Sequence, residues 1–171
     1  MTRITLTALL AAALVAGCEA SDATEPTAGS ATIARVADGD TLVLRGGERV
    51  RLLQIDAPEL GGGECHGAEA TRELARLLAP GDLVRLEPDP ALDDRDRHGR
   101  LLRYVHTADE HVNVELVRRG AAAPFFFQGE RGAHADDLLA AVEDARRAGA
   151  GMWSACEVRW RADRQVETRG R

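Results

Sequence analysis

The chain has 171 residues, of which 44% are hydrophobic and 4% aromatic, and this length suits one domain with an aliphatic core and some additional segments. All 22 basic residues are arginine, and the formal net charge is −6. This charge argues against a protein that coats nucleic acid through a generally basic surface. A chain of this kind handles polyanions through a few local cations or a bound metal ion.

The first 17 residues read as a signal peptide. Arg3 precedes an apolar stretch at 4–16 that is too short to span a bilayer. The stretch ends in "VAGC", which resembles the lipobox of bacterial lipoproteins and implies cleavage before Cys18 and lipidation of that residue; a plain secretory signal cleaved nearby is the alternative. Residues 18–30 are small and polar, which predicts a flexible tether. We therefore expect an exported protein that is anchored to a membrane through Cys18 and faces the periplasm or the cell exterior, or else is secreted in soluble form.

The rest of the chain predicts a mixed fold of strands and helices. Alternating apolar residues and Gly-containing turns predict five strands, at 31–37, 41–45, 48–55, 83–89 and 101–107. Helical spacing of apolar residues predicts three helices, at 68–78, 112–120 and 134–149. Three strands, a helix, two strands and then helices fit an α+β fold, a five-stranded OB-fold barrel with about three packed α-helices. The tail at 157–171 has no clear period, and we expect it to be disordered.

Two cysteines remain once Cys18 is assigned to the lipid. Because disulfides persist in exported proteins, we predict a bond between Cys65 and Cys156. The sequence "ECH" at 64–66 could instead contribute to a metal site, although no second ligand pair at zinc-site spacing lies nearby. The histidines that carry no motif are given no role: His66, His106, His111 and His134.

Polar side chains collect where predicted strands end. Asp40 precedes the second strand and Asp56 follows the third, so folding can bring their carboxylates together. Carboxylate oxygens suit a hard cation such as Ca²⁺ or Mg²⁺, and Arg51 and Arg100 could each hold a phosphate through a two-pronged contact. Glu59 is a spare carboxylate that could activate water. Phosphodiester hydrolysis needs a metal, cations and a base, because the charge on the reacting phosphate must be neutralised.

Four segments are similar to the signature segments of the staphylococcal nuclease (thermonuclease) family: "ADGDTLVL", "VRLLQIDAPE", "DRHGRLLRYV" and "VNVELVRRGAA". They occur in the family's order and spacing, and the resemblance covers residues 31–156. It implies an SNase-like OB-fold barrel and a monomer that hydrolyses DNA and/or RNA with one Ca²⁺ ion. The alternative is a catalytically inactive OB-fold lipoprotein that binds nucleic acid; the presence of the complete set of site residues favours the enzyme.

By motif position, the resemblance assigns a role to each site residue. The ion would be bound by two carboxylates and one backbone oxygen, supported by a third carboxylate that does not contact it. A general base would activate the water, and two guanidinium groups would hold the phosphate. These residues are, in that order, Asp40, Asp56, Ala57 (backbone oxygen), Asp38, Glu59, Arg51 and Arg100.

The sequence departs from the family's pattern after the last signature segment. The family usually supplies tyrosine hydroxyls to the nucleotide there, whereas this chain has phenylalanine at 125–127. Phe126 is predicted to stack on a base, with core packing as the alternative. Arg97 is predicted to face phosphate, with a solvent-facing position as the alternative. The sequence leaves open whether DNA or RNA is preferred and whether cleavage is internal or terminal.

Overall fold

The computed structural model describes residues 29–171. The predicted signal peptide, the lipidation site at Cys18 and the tether up to residue 28 lie outside the described residues. None of the helices between residues 29 and 171 has the length and apolar character needed to cross a membrane.

Nine strands form one barrel and two small sheets. The strands are β1 (Gly29–Val36), β2 (Thr41–Leu44), β3 (Arg49–Leu52), β4 (Ile55–Asp56), β5 (Leu83–Glu87), β6 (Leu101–His106), β7 (Ala123–Pro124), β8 (Cys156–Arg159) and β9 (Glu167–Gly170). The barrel is closed in the order β1-β2-β3-β6-β5, with β3 and β6 parallel and the other pairs antiparallel. The predicted five-stranded barrel is therefore confirmed.

Period-two alternation places the aliphatic side chains of the strands inside the barrel. Leu42 of β2 pairs with Val50 of β3, and both are fully buried, as is Leu52. Arg51 lies between Val50 and Leu52 on β3, and part of its surface is exposed to solvent. The hairpin turns at Gly47, whose φ of 90° requires glycine. Buried positions on β2 and β3 thus alternate with positions that are free for polar side chains.

The helices are α1 (Gly67–Leu77), α2 (Val112–Arg118), α3 (Ala135–Ala148) and α4 (Met152–Ala155), with a 3₁₀ turn at Phe127–Gly129. The first three match the predicted helices to within two residues at each end. A buried side chain, Asn113, joins α2 to the barrel, because its Oδ1 accepts the Val105 N–H at 3.0 Å and its Nδ2 donates to the Leu53 carbonyl at 2.9 Å. Apolar faces of α1 and α3 complete the core through Leu74 and Leu138, which are fully buried.

The prediction of one continuous strand at 48–55 is wrong. The chain turns at Leu53 and Gln54, and β4 leaves the barrel to pair with β7. Gln54 has a φ of 58°, a conformation that a non-glycine residue keeps only when its surroundings hold it. Its buried amide is held on both sides: Oε1 accepts from the Tyr104 hydroxyl at 3.1 Å and Nε2 donates to the Glu130 carbonyl at 2.8 Å.

The prediction of a disordered tail is also wrong. β8 and β9 form an antiparallel hairpin, with Val166 and Thr168 buried. The indole N–H of Trp160 donates to the Pro124 carbonyl at 2.8 Å, so the segment is fixed to β7. The amphiphilic pattern was too short to recognise, because each strand has only four residues. At the other end, the boundary of the tether needs correction, since residues 29–30 already belong to β1 and pair with β5.

The predicted disulfide is present. Cys65 and Cys156 are 91 residues apart in sequence, and their bond joins the loop before α1 to the start of β8. The Thr168 hydroxyl donates to the Cys65 carbonyl at 2.7 Å, which adds a second link between this loop and the C-terminal hairpin. The alternative of a metal site at "ECH" is excluded for Cys65, because its sulfur is in the disulfide.

Candidate active site

Two buried aspartates lie side by side at one end of the barrel. Asp40 comes from the turn between β1 and β2, Asp56 lies on β4, and they are 7% and 4% exposed. Asp40 Oδ2 accepts the Ala57 N–H at 3.0 Å, and Asp40 Oδ1 accepts the Thr41 hydroxyl at 3.1 Å. The Asp40 carboxylate is therefore fixed by the segment that carries Asp56.

Arg51 joins the two carboxylates. Its Nη2 lies 3.0 Å from Asp40 Oδ2 and 2.9 Å from Asp56 Oδ1. In a straight strand, residues 51 and 56 would point to opposite faces and lie about 17 Å apart. The turn at 53–54 instead brings the two side chains together. Arg51 Nη1 stabilises this turn by donating to the carbonyls of Leu52 and Ile55 at 3.0 and 2.7 Å. The interruption of the predicted strand is what builds the site.

Gly39 allows the close approach of the Asp40 turn to the β4 segment. A Cβ at this position would lie 2.7 Å from the Ala57 Cβ and 2.9 Å from the Ala70 Cβ, too close for any side chain. Asp38 shapes the same turn, since its Oδ1 accepts the Asp40 N–H at 3.2 Å. Asp38 therefore supports the position of Asp40 through the backbone.

Arg100 approaches Asp40 from the other side. Its Nη1 donates to the Thr41 hydroxyl at 3.5 Å, and that hydroxyl in turn donates to Asp40. Asp96 holds Arg100 in place: it accepts from Arg100 Nε at 2.6 Å and from the Arg100 backbone N–H at 3.0 Å. Sequence reasoning missed this function of Asp96, although the acidic and basic alternation of "DDRDRHGR" at 93–100 was a signal for such a pair.

Glu59 lies in the exposed loop that follows β4. Its backbone N–H donates to Glu64 Oε2 at 2.8 Å, which holds this part of the loop. Partial burial and the negative charges of Asp38 and Asp56 raise the pKa of Glu59 above its usual value, and Arg51 opposes this effect. Glu59 therefore lies within the electrostatic field of Asp38 and Asp56.

The two aspartates carry more negative charge than their surroundings neutralise. Burial raises the pKa of Asp40 to about 7, against the opposing effect of Arg51. Burial also raises the pKa of Asp56, which Arg51 and the N–H of Val166 oppose. Two buried carboxylates thus share one guanidinium charge. A hard divalent cation fits this donor set, because carboxylate oxygens are its preferred ligands and an additional positive charge would complete the neutralisation.

The C-terminal hairpin contributes to the site, which sequence reasoning missed. The backbone N–H of Val166 donates to Asp56 Oδ2 at 2.9 Å, and Gln165 Nε2 lies 3.5 Å from Asp56 Oδ1. Asp56 is therefore held between Arg51 on one side and the loop that connects β8 with β9 on the other. No sequence signal could have indicated this contact, because a backbone amide donates it from 110 residues away.

Two predicted contact residues lie apart from this group. Phe126 is 5% exposed and belongs to the core, so its ring is not available to a base and the prediction of stacking is wrong. Phe127 is the exposed ring of this segment, at 61%. Arg97 is exposed, and its Nε contacts the ring of the neighbouring His98 at 3.0 Å. The structure leaves the predicted phosphate contact of Arg97 untested.

Comparisons with known proteins agree with this arrangement. A family profile described as staphylococcal nuclease homologue matches residues 49–155. An "Uncharacterized endonuclease" of Haemophilus influenzae is 31% identical over 126 residues, which cover 71% of this chain and 65% of the relative. A "Thermonuclease" of Staphylococcus intermedius is 36% identical over 102 residues, 56% of this chain and 59% of the relative. A "Micrococcal nuclease" of Shigella flexneri is 33% identical over 135 residues, 71% and 72% of the two chains.

The similarity is therefore domain-sized. The chain spans about three fifths of the length of the first two relatives and somewhat more of the third. The residues that match the family profile contain Arg51, Asp56, Glu59 and Arg100, whereas Asp40 and strands β1 and β2 precede them. The family profile matches well over half of the chain, and the chain therefore belongs to the family of staphylococcal nuclease homologues.

Proposed function

We propose that this protein is a Ca²⁺-dependent phosphodiesterase that hydrolyses DNA, RNA or both. The observation that carries the proposal is the pair of buried aspartates that share Arg51, with Glu59 and Arg100 at the same end of the barrel. The names of the relatives, which are those of nucleases, support the same reaction class.

Asp40 and Asp56 would hold the ion. The carbonyl of Ala57 stays a predicted third ligand; the Ala57 N–H is already bound to Asp40. A bound Ca²⁺ supplies positive charge next to the reacting phosphate. It would also take over part of the neutralisation that Arg51 Nη2 now provides to both carboxylates, so that this guanidinium could contact a phosphate.

Glu59 would act as the general base. Its raised pKa makes it a better proton acceptor than an ordinary surface glutamate. Its exposed position gives it access to solvent water. Arg51 and Arg100 would stabilise the charge that develops on the phosphate, and Asp96 would keep the Arg100 guanidinium oriented for that contact.

A cleavage assay on DNA and on RNA, with Ca²⁺ and with excess EDTA, tests the proposal. We expect cleavage with Ca²⁺, none in EDTA, and loss of cleavage in Asp56→Asn. The Asp93→Asn variant, which removes an exposed carboxylate of the loop before β6, is the matched control and should keep full activity. Binding of either nucleic acid without cleavage under all conditions would instead favour the inactive binding module.

The place of action is a separate proposal. We propose that the protein is exported and held at a membrane by a lipid on Cys18. The apolar stretch and the "VAGC" sequence support it. Cell fractionation should find the parent chain with membranes and the Cys18→Ala variant displaced from them. A mature chain that is soluble and begins away from residue 18 would contradict the anchor.

A further inference from the structure

Three of the chain's five histidines meet at the end of the barrel opposite the aspartates. His106 ends β6, His111 directly precedes α2, and His134 directly precedes α3. Arg100 of the candidate active site precedes the start of β6. The six residues of this strand therefore separate the two places by about 20 Å.

The three rings are close enough to share one ion. Their centroids are 4.3 Å apart for His106 and His111, 4.5 Å for His111 and His134, and 6.1 Å for His106 and His134. One nitrogen from each ring lies within 4.8 Å of the other two. Nitrogen ligands of a tetrahedral zinc ion are about 3.3 Å apart, so small side-chain rotations would bring all three to bonding distance.

Three of the six ring nitrogens lack the hydrogen bonds that buried polar atoms normally have. Both nitrogens of His111 are buried, and neither forms a hydrogen bond with any described residue. His106 Nε2 is also buried and without a directed hydrogen bond, although it lies 2.9 Å from Glu87 Oε2. Buried polar atoms in this state are rare and costly, which indicates that something outside the chain satisfies them.

Two carboxylates and one guanidinium surround the cluster, which leaves a negative balance that favours a cation. Arg85 Nη1 lies 2.7 Å from Glu87 Oε2, and Asp137 Oδ2 lies 3.7 Å from His134 Nδ1. Glu87 lies against two of the rings, with its Oε2 2.9 Å from His106 Nε2 and its Oε1 3.0 Å from His134 Nε2. Neutral imidazoles beside one carboxylate are ligands for zinc-type ions, whereas Ca²⁺ requires oxygen donors.

We propose that His106, His111 and His134 form a second metal site, specific for Zn²⁺ and divalent ions of the same ligand preference, with Glu87 balancing its charge. This site is independent of the proposed hydrolysis in position and in ligand chemistry. Its ligands come from the end of β6 and from the starts of α2 and α3, so a bound ion would tie both helices to the barrel.

Metal titration of the full chain tests the site. The protein is purified without a polyhistidine tag, stripped with EDTA and exchanged into metal-free buffer. We expect one Zn²⁺ per chain at this site by calorimetry, and a visible absorption band typical of tetrahedral coordination with Co²⁺. At Zn²⁺ about 100 times above its Kd, the ratio of folded to unfolded protein should rise about 100-fold, measured as a higher Tm.

A matched set of variants separates metal binding from packing. His111→Phe keeps a ring in the cluster, and its metal-free Tm should equal or exceed that of the parent, because the lost nitrogens have no partners. The Co²⁺ band and the Zn²⁺-dependent rise in Tm should disappear. Two control variants should keep the Co²⁺ band. His98→Ala removes an exposed histidine outside the cluster, and Asp40→Asn removes a carboxylate of the candidate active site.

Either of two results would overturn the proposal: no Co²⁺ band in the parent, or the same band in the parent and in His111→Phe. A fall in the metal-free Tm of His111→Phe, combined with no Zn²⁺ response in the parent, would show that the cluster serves packing alone. If His111→Phe does not fold, His134→Gln takes its place with the same expectations for the band. None of these measurements depends on nuclease activity.

Discussion

Asp40→Asn should make the metal-free protein more stable at alkaline pH while abolishing cleavage. Burial raises the pKa of folded Asp40 to about 7, whereas the unfolded residue loses its proton near the ordinary aspartate pKa of 3.8. The folded state therefore binds more protons within this window. The contribution of Asp40 to stability is complete below pH 3.8 and is lost as the pH rises through about 7.

The magnitude follows from the width of that window. Each pH unit over which only the folded state holds the proton changes the free energy of unfolding by about 1.4 kcal/mol. Between pH 5 and pH 8, ionisation of Asp40 should therefore lower the free energy of unfolding of the parent by about 3 kcal/mol. Asparagine does not ionise, so the variant does not lose this stability. Most of the cost comes from burial of the charge, since Asp40 is 7% exposed and Arg51 is shared with Asp56.

Urea unfolding in EDTA at pH 5 and at pH 8 measures this effect. Asp40→Asn should gain about 3 kcal/mol relative to the parent from the lower to the higher pH, and the control Asp93→Asn should not. Ca²⁺ at about 100 times its Kd should return about 2.7 kcal/mol to the parent at pH 8 and nothing to Asp40→Asn. A stability difference between Asp40→Asn and the parent that is the same at both pH values would refute the reasoning.

Three further predictions concern the base, the phosphate contacts and the disulfide. Glu59→Gln should lower the cleavage rate by about 10²- to 10⁴-fold in a single-turnover assay with the fold unchanged; parental rates would place the base elsewhere. Arg100→Lys should lower the rate because it loses the two-pronged guanidinium contact that Asp96 orients. Arg95→Lys, which changes an exposed arginine of the same loop that pairs with Glu48, should not, and equal losses in both would point to general charge. Replacing Cys156 by Ser should lower the Tm by roughly 10–15 °C, because a disulfide across a 91-residue separation contributes about 4–5 kcal/mol to the free energy of unfolding. A Tm within about 2–3 °C of the parent would contradict this estimate.

The barrel could be predicted because its signals are local. The alternation of Leu42, Val50 and Leu52 with polar residues, and the glycine hairpin at Gly47, each specify a strand or a turn within a few residues. The four signature segments then located the aspartates, the arginines and Glu59. The structure brings Asp40, Asp56 and Arg51 together and places Arg100 beside Thr41, as the strand ends had suggested.

The features that were missed depend on contacts that are distant in sequence. Gln54 turns the chain only because Tyr104 and Glu130 satisfy its amide, and neither residue is near it in sequence. Phe126 lies in the core rather than at the substrate, which a run of three phenylalanines does not reveal. The histidine cluster draws on three segments that share no motif, so only the fold could show it.

The hydrogen bond between Val166 and Asp56 can form only late in the synthesis of the chain. A ribosome adds Val166 110 residues after Asp56, a delay of about 5–20 s at ordinary rates of synthesis. During that interval β5, β6 and the helices are added, and Asp56 lacks the amide that holds its Oδ2 until Val166 follows. The Cys65–Cys156 bond is a separate late step, because joining two thiols requires an oxidant and Cys156 follows Cys65 by 91 residues. The complete site is therefore a late product of synthesis, because it requires the C-terminal hairpin.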